Sequence, residues 1–490
     1  MPSIRKKVLS GVIWATAETA GVRVVQFATF LILARALSRE DFGLVALASV
    51  YIAFLQLVVR MGITDAIIQR EDLTDLHKDT AYWATVILGV IAILLSIVIA
   101  PLAASWSGEP ELQPIIYCLA IGIIPLSLSR VQQGLLMRRL SFRSLAIRGW
   151  ISTSSGAVVG ITMALNGYGV WSLVAQQLVE RFAEWITLWW VTRWFPKLRF
   201  SLHAFGEIWT YASRIVGINL LQFAGSNIDR LLIGQFFGVG ALGVYVVGRR
   251  FVEVILGITR VVILKVTMSA FSRLQSNTER LVESSAAVAR VIALFGFPVM
   301  ALFVFYGEDI TAIVFGEKWR DAGVICQIIA VGGMARTSTF FAQPLLKAKG
   351  HPGSLLRATA VQVVVSILLG GLLASYGLQA FTAGWAAGSV VFSVMLFYYI
   401  ADILDYPIAV ILRQYLGIAV ALVLSWLSVE FLPTYMNIYS GSLLANLALQ
   451  CFLFFLAYAF FVMIFGYATV KQAYLEVRAL IRPDQRGSTP

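Results

Sequence analysis

Three apolar stretches of this sequence carry polar and charged residues at helical spacing. Within residues 8–33, Thr16, Thr19, Arg23 and Gln26 recur three and four residues apart, so they share one helix face. Within 206–236, Arg214, Asn219, Gln222, Ser226 and Asp229 mark a broader stripe. Within 241–264, Arg249, Glu253 and Arg260 share a face, with Arg250 beside it. A charge near the centre of a bilayer costs roughly 3 to 15 kcal/mol, so such stripes must face protein or a polar cavity. Taken singly, each residue reads equally well as an ion-paired strut that orients its helix. Taken together, arginine exceeds carboxylate. That surplus points to an anionic guest, because guanidinium grips phosphate with two parallel hydrogen bonds. The cavity set is Arg23, Gln26, Arg60, Arg214, Gln222, Arg249, Arg250 and Arg260. Asp229 and Glu253 are the carboxylates placed to carry a coupling ion, with burial raising and arginine lowering their pKa. Asp229 and Arg230 are adjacent, hence about 100° apart on a helix. Asp229 is expected to face the cavity or the Arg249/Arg250 pair, and Arg230 an outer surface or a neighbouring bundle.

The elements that must hold these residues follow from composition. Of 490 residues, 59% are hydrophobic and 13% charged, and the mean hydropathy is +0.82. Soluble domains carry roughly 25% charged residues, so the chain is a polytopic, all-α integral membrane protein. The net charge of +12 is spread thinly between apolar runs, which excludes a nucleic-acid surface and fits positive-inside topology. Cys118, Cys326 and Cys451 lie in apolar runs and read as small buried hydrophobes. His77, His203 and His351 fall in polar connections without ligand spacing, so no metal or other cofactor is expected. The basic start, "IRKK", precedes an apolar run that continues through Arg23 to Leu33 without a convincing cleavage site; it reads as a retained first span.

Runs of crossing length number about fourteen. Connections alternate between Lys/Arg-rich ("RRLSFRSLAIR", "TRWFPKLR", "KAKGHPGSLLR") and Lys/Arg-poor ("SGEPELQ", "NGYG", "GVGA"), which puts both termini in the cytoplasm. The chain also repeats: "ARALSREDFGLVAL" (34–47) aligns with "GQFFGVGALGVYVV" (234–247), placing Arg60 opposite Arg260. "QGLLMRRLSFRSL" (133–145) aligns with "QPLLKAKGHPGSL" (343–355), and "YGVWSLVAQQ" (168–177) with "YGLQAFTAGW" (376–385). Residues 1–195 and 196–402 are therefore two six-helix bundles of like orientation, and 403–490 adds two helices and a basic tail. Parallel repeats of this kind are a transporter signature.

Several motifs have blander readings. "GVGALG" (238–243) has dinucleotide-fingerprint spacing but joins two membrane helices, so its glycines serve a tight turn. No Walker-type loop marks an ATPase. The tryptophans of "WITLWWVTRWF" (185–195) fit an interfacial belt. Glu180, Arg181 and Glu184 fit a cavity element or a local helix pair. Arg138, Arg139 and Arg143 read as topology determinants first and anionic-lipid contacts second.

Asn227-x-Asp229-x-x-Leu232-Ile233-Gly234, followed by Ala241-Leu242-Gly243-x-Tyr245, resembles the helix 7–8 signature of bacterial polysaccharide transporters. "ILARALSREDFGLVAL" resembles their helix 1–2 turn. The likeness is to the colanic-acid-exporter branch of the multidrug/oligosaccharidyl-lipid/polysaccharide flippase superfamily and covers most of the chain. It implies two six-helix bundles around a central cavity, related by a pseudo-two-fold axis. It implies, too, a multi-pass protein of the bacterial inner membrane that flips undecaprenyl-diphosphate-linked oligosaccharides outward for exopolysaccharide, O-antigen or capsule synthesis. Membrane lipids, a counter-moving proton or sodium ion, and a polymerase or co-polymerase are the partners that go with it. A drug or organic-cation antiporter of the same superfamily predicts an acidic cavity, which the arginine surplus disfavours; a lipid II flippase differs only in cargo. A membrane polymerase or ligase needs a sizeable outer loop with acid/base residues, and Glu308, Asp309 and Glu317 lie in a short one without histidine. No enzyme activity is expected.

Overall fold

A chain with no water along most of its length must satisfy its backbone internally, and helices do so within one segment. Every long element of the computed structural model, which describes residues 4–60, 62–70, 72–274, 278–404, 408–435, 442–467 and 470–472, is an α-helix. The first nine are α1 (Ile4–Ala36), α2 (Arg39–Arg60), α3 (Ile63–Gln69), α4 (Asp75–Ser107), α5 (Leu112–Ile121), α6 (Ile123–Arg138), α7 (Phe142–Leu165), α8 (Val170–Thr192) and α9 (Leu202–Leu274). Then come α10 (Thr278–Phe315), α11 (Arg320–Ser338), α12 (Ala342–Ala348), α13 (Pro352–Leu373), α14 (Leu378–Leu404), α15 (Ile408–Tyr435) and α16 (Leu443–Phe465). Among the described residues ten segments are long and apolar enough to cross a membrane.

The repeat read from the sequence lands on matching backbone turns. α9 is two helices joined at Gly238, whose φ of 79° only glycine adopts readily; its counterpart, Ser38, separates α1 from α2. There Asp41 accepts from the Ser38 N–H and hydroxyl at 2.9 Å, and Ser38 Oγ accepts from the Asp41 N–H at 3.1 Å, which closes a capping box. α6 ends on Leu140 (φ 55°) and α12 on Gly350 (φ 78°). Both ends close with the same hydrogen bond, Ser141 N–H to Leu136 O at 3.0 Å and His351 N–H to Leu346 O at 2.9 Å. Gly169 (φ 52°) starts α8 as Gly377 (φ 101°) starts α14.

One contact has the symmetry of the repeat. A Cβ on Gly43 would strike the Val239 carbonyl, and a Cβ on Gly243 would strike the Arg39 carbonyl. Shifting Gly43 and Arg39 by the 200-residue offset yields Gly243 and Val239. The α1–α2 turn and the Gly238 turn therefore sit reciprocally on each other's backbone.

The chain divides into two compact units, Met1–Val246 and Val247–Pro490. The first takes in the α9 hairpin turn, which the sequence places in the second bundle. In the second, α15 and α16 share one core with α10, α11 and α14, built from Phe297, Tyr306, Phe341, Phe392, Tyr415 and Phe454. Two of its buried phenols have bonded tips: Tyr415 donates to Ser338 O at 3.0 Å and Tyr458 to Leu294 O at 3.1 Å.

Candidate functional site

Small residues decide where charges can meet. On α7, a Cβ at Gly149 would lie 3.1 Å from the Glu18 carboxylate, and one at Gly156 would lie 2.7 Å from the Gln176 carbonyl and 3.1 Å from Glu180 Cβ. Glycines at these positions let α1 and α8 close onto α7. The approach assembles a charged seam across three helices. Arg148 reaches Glu18 Oε1 at 3.2 Å and Glu184 Oε1 at 3.1 Å, and Arg181 reaches Glu184 Oε2 at 3.3 Å. Glu180 accepts from the Thr153 hydroxyl at 3.2 Å and lies beside the Gln26 amide. The Arg148 side chain is only 14% exposed, so the bridging carboxylates compensate a charge that would otherwise be stranded.

Arg23 differs from these. It lies one turn before Gln26 on α1, is half-buried, and makes no hydrogen bond or ion pair among the described residues. The polar stripes of the sequence include neither Glu18 nor Arg148, and they leave Glu180 and Glu184 as local alternatives. With them, two arginines face three glutamates in the seam, so the arginine surplus of the original stripes is absent here. The signal that could have found them is the one used for Arg23, a charge inside an apolar run.

Gln222 is exposed on the first half of α9. Asp229, fully buried, accepts from the Tyr245 hydroxyl at 2.6 Å and from the Arg230 N–H at 2.9 Å. It thus ties the two halves of the α9 hairpin, while Arg230 is half-buried. Other signature glycines do related packing work: a Cβ at Gly234 would lie 3.1 Å from Leu47, and one at Gly243 would strike Arg39. In the second unit Arg249 pairs with Glu253 at 2.6 Å, and Arg250 is half-buried beside it. The side chains of Arg60, Arg214 and Arg260 lie outside the described residues. Arg290 on α10, 7% exposed, and Arg336, 5.7 Å over the Phe392 ring, are intramembrane cations outside the stripes read from sequence.

Two other expectations change with packing. Arg138 donates to the carbonyls of Ile67, at 3.1 Å, and Arg70, so it caps the end of α3 as well as carrying charge. Trp189 and Trp194 pack on buried Tyr82, at 6.3 and 6.1 Å between ring centroids, and only Trp190, 70% exposed, fits a lipid-facing belt.

At the start of α9, Glu207 receives Arg70 at 2.8 Å and the His77 ring at 2.8 Å. The His77 hydrogen bond, seconded by the Arg70 charge, holds the Glu207 carboxyl below the usual glutamate range. A carboxyl lowered on folding contributes stability above its ordinary pKa and loses it as pH falls through the lowered value. The protection of backbone amides over residues 201–207, taken relative to their intrinsic exchange rates, is therefore expected to fall on acidification through that range. Glu207→Gln should show low protection at every pH; an unchanged acid response in this variant would refute the clamp.

The second unit holds an apolar groove of about 480 Å³. Phe297 and Phe305 of α10, Val331 and Met334 of α11, and Tyr415 and Leu422 of α15 line it.

The polysaccharide biosynthesis protein family model matches residues 32–324. The succinoglycan biosynthesis transport protein ExoT of Rhizobium meliloti is 28% identical over 74% of each chain. The lipopolysaccharide biosynthesis protein WzxC of Escherichia coli is 25% identical over 73% of this chain and 71% of its own. Among solved structures, the inward closed conformation of the lipid II flippase MurJ superposes with a TM-score of 0.78 at 14% identity, covering 94% of this chain and all of that one. The inward-facing conformation of a multidrug resistance transporter of the MOP superfamily superposes at 0.61 with 17% identity, over 80% of this chain and 98% of that one. With more than half of its length matched by the family model, this chain belongs to the polysaccharide biosynthesis protein family of multi-pass membrane proteins.

Proposed function

We propose that the protein moves undecaprenyl-diphosphate-linked oligosaccharides from the inner to the outer leaflet by alternating access through a cationic cavity. The observation that carries this reading is Arg23: a guanidinium in a membrane-spanning helix, with no protein partner among the described residues, awaits an anion. A diphosphate with several sugars cannot cross hydrocarbon, because each unsatisfied polar group costs several kcal/mol. Arginine replaces its water, while the prenyl chain occupies an apolar surface such as the groove on α10, α11 and α15. The names of the relatives, a succinoglycan biosynthesis transport protein and a lipopolysaccharide biosynthesis protein, support the cargo class. Moving two negative charges outward across a membrane negative inside gains roughly 4–5 kcal/mol per 100 mV, enough to bias the cycle. Asp229 and Glu253 are the carriers if a proton or sodium ion returns. Contact with a polymerase would hand on the flipped unit. Asp309 and Glu317, the loop carboxylates an enzyme would need, are held by Arg320 at 3.1 and 2.6 Å.

The direct test reconstitutes the purified protein in vesicles holding a fluorescent undecaprenyl-diphosphate oligosaccharide and follows its exposure to an added glycosidase. Protein-dependent exposure is expected; none above protein-free vesicles would sink the reading. Running lipid II and an organic cation in parallel separates the rival cargoes.

The proposed topology has fourteen crossings and both termini inside. The ten apolar segments, the second half of α9, and α7, α8 and α15 make up that number. Cysteines at 138–143 and 347–351 should label from the cytoplasm, and those at 105–113 and 308–320 from outside. Any reversal refutes the topology.

A further inference from the structure

The segment joining α8 to α9 is built to hold its side chains away from the protein. α8 stops at Arg193, whose backbone turns left-handed (φ 48°), and Trp194 plugs into the cluster of Ile63, Tyr82 and Trp189. From there the backbone is pinned inward: Lys197 N–H donates to Asp79 at 3.0 Å, Trp83 donates to Lys197 O at 2.9 Å, and Ser201 N–H donates to Thr80 Oγ1 at 3.2 Å. Arg199 N–H closes onto Lys197 O at 2.8 Å, a three-residue turn with Leu198 at its apex. With its polar backbone turned in, the segment presents Phe195 (67% exposed), Leu198 (88%), Phe200 (46%) and Leu202 (80%) outward. Arg193, Lys197 and Arg199 are exposed between them and form no ion pair or side-chain hydrogen bond among the described residues. Asp75, the neighbouring carboxylate, pairs with Lys78 at 2.8 Å and feels the Lys197 and Arg199 charges only at longer range.

We infer that residues 193–202 are a preformed anchor for anionic phospholipid, with Phe195, Leu198, Phe200 and Leu202 inserted among the headgroups and Arg193, Lys197 and Arg199 on their phosphates. Alternating apolar and cationic side chains suit the boundary between acyl chain and phosphate, where an aliphatic or aromatic body is buried while a charge stays wet. A zwitterionic headgroup leaves three cations uncompensated, and a protein partner is not needed to cover the apolar tips. The anchor binds through a segment pinned to α4 and continuous with α9, so lipid occupancy also holds the first half of α9 in place. The inference does not depend on which cargo the protein moves.

Native mass spectrometry of the full-length protein with phosphatidylglycerol and phosphatidylcholine as probes tests it. Wild type is expected to retain phosphatidylglycerol preferentially. Arg193→Gln, Lys197→Gln and Arg199→Gln together should weaken that lipid roughly a hundredfold and phosphatidylcholine little, at about fivefold per cation. The single change Lys197→Gln, expected to lose about fivefold, keeps the test alive if the triple variant does not fold. Leu198→Ser, with all cations kept, should weaken both lipids. Equal binding of the two lipids by wild type, or wild-type phosphatidylglycerol binding by either cation variant, would overturn the anchor. Unchanged retention by Leu198→Ser would overturn the insertion.

Discussion

Arg23→Ala is expected to abolish export of the lipid-linked oligosaccharide while the protein reaches the membrane at wild-type abundance. The expectation follows from what Arg23 lacks. It bridges no carboxylate among the described residues, so its loss strands no buried charge. Losing one charge-assisted contact of about 1.5–3 kcal/mol weakens an anionic cargo by about 10- to 150-fold. Arg23→Lys should keep partial activity, since a point charge replaces a planar two-pronged donor. Arg148 makes the contrast. Its removal leaves Glu18 without its cation and Glu184 with Arg181 alone, at a cost of about 3–5 kcal/mol, so Arg148→Ala should lose abundance and regain part of it with Glu18→Gln. Arg249→Ala should behave as a mixture, losing export and recovering abundance with Glu253→Gln, because Glu253 is its partner at 2.6 Å. Abundance by immunoblot and export by cell-surface polysaccharide are measured together. Wild-type export by an abundant Arg23→Ala protein would remove Arg23 from the cargo site.

Gly43→Ala and Gly243→Ala should each part the reciprocal contact between the α1–α2 turn and the Gly238 turn and stop transport. Each new Cβ meets a backbone carbonyl, which cannot rotate aside as a side chain can. Overpacking of this kind costs about 1–3 kcal/mol, enough to shift a conformational equilibrium by about 5- to 150-fold. The readout is proximity. A Cβ at Gly240 would lie 3.3 Å from Glu40 Oε1, so Glu40→Cys with Gly240→Cys should be joined by a short thiol-reactive bridge in an otherwise wild-type protein. Adding Gly43→Ala should lower that yield, and the double change Gly43→Ala with Gly243→Ala should lower it further. Equal cross-linking and equal export in all backgrounds would show that the turns do not need to touch.

Much of this architecture was legible in the residues. Apolar length and sparse charge determined an all-helical membrane protein, because hydrocarbon leaves the backbone no other partner. The three aligned motifs located the repeat, and each fell on a pair of equivalent turns because helix ends depend on local conformation: Leu140 with Gly350, Gly169 with Gly377. Helical spacing also established that Asp229 and Arg230 point apart. It could not say that Asp229 meets Tyr245, since that needs the chain to fold back at Gly238. Nor could it join Glu18 to Arg148 or Arg148 to Glu184, residues 130 and 36 positions apart. Periodicity assigns a residue to a face of its own helix. Which faces touch is decided by close packing, and here glycines at 149 and 156 bring α1, α7 and α8 near enough for their charges to pair and leave Arg23 outside the pairing.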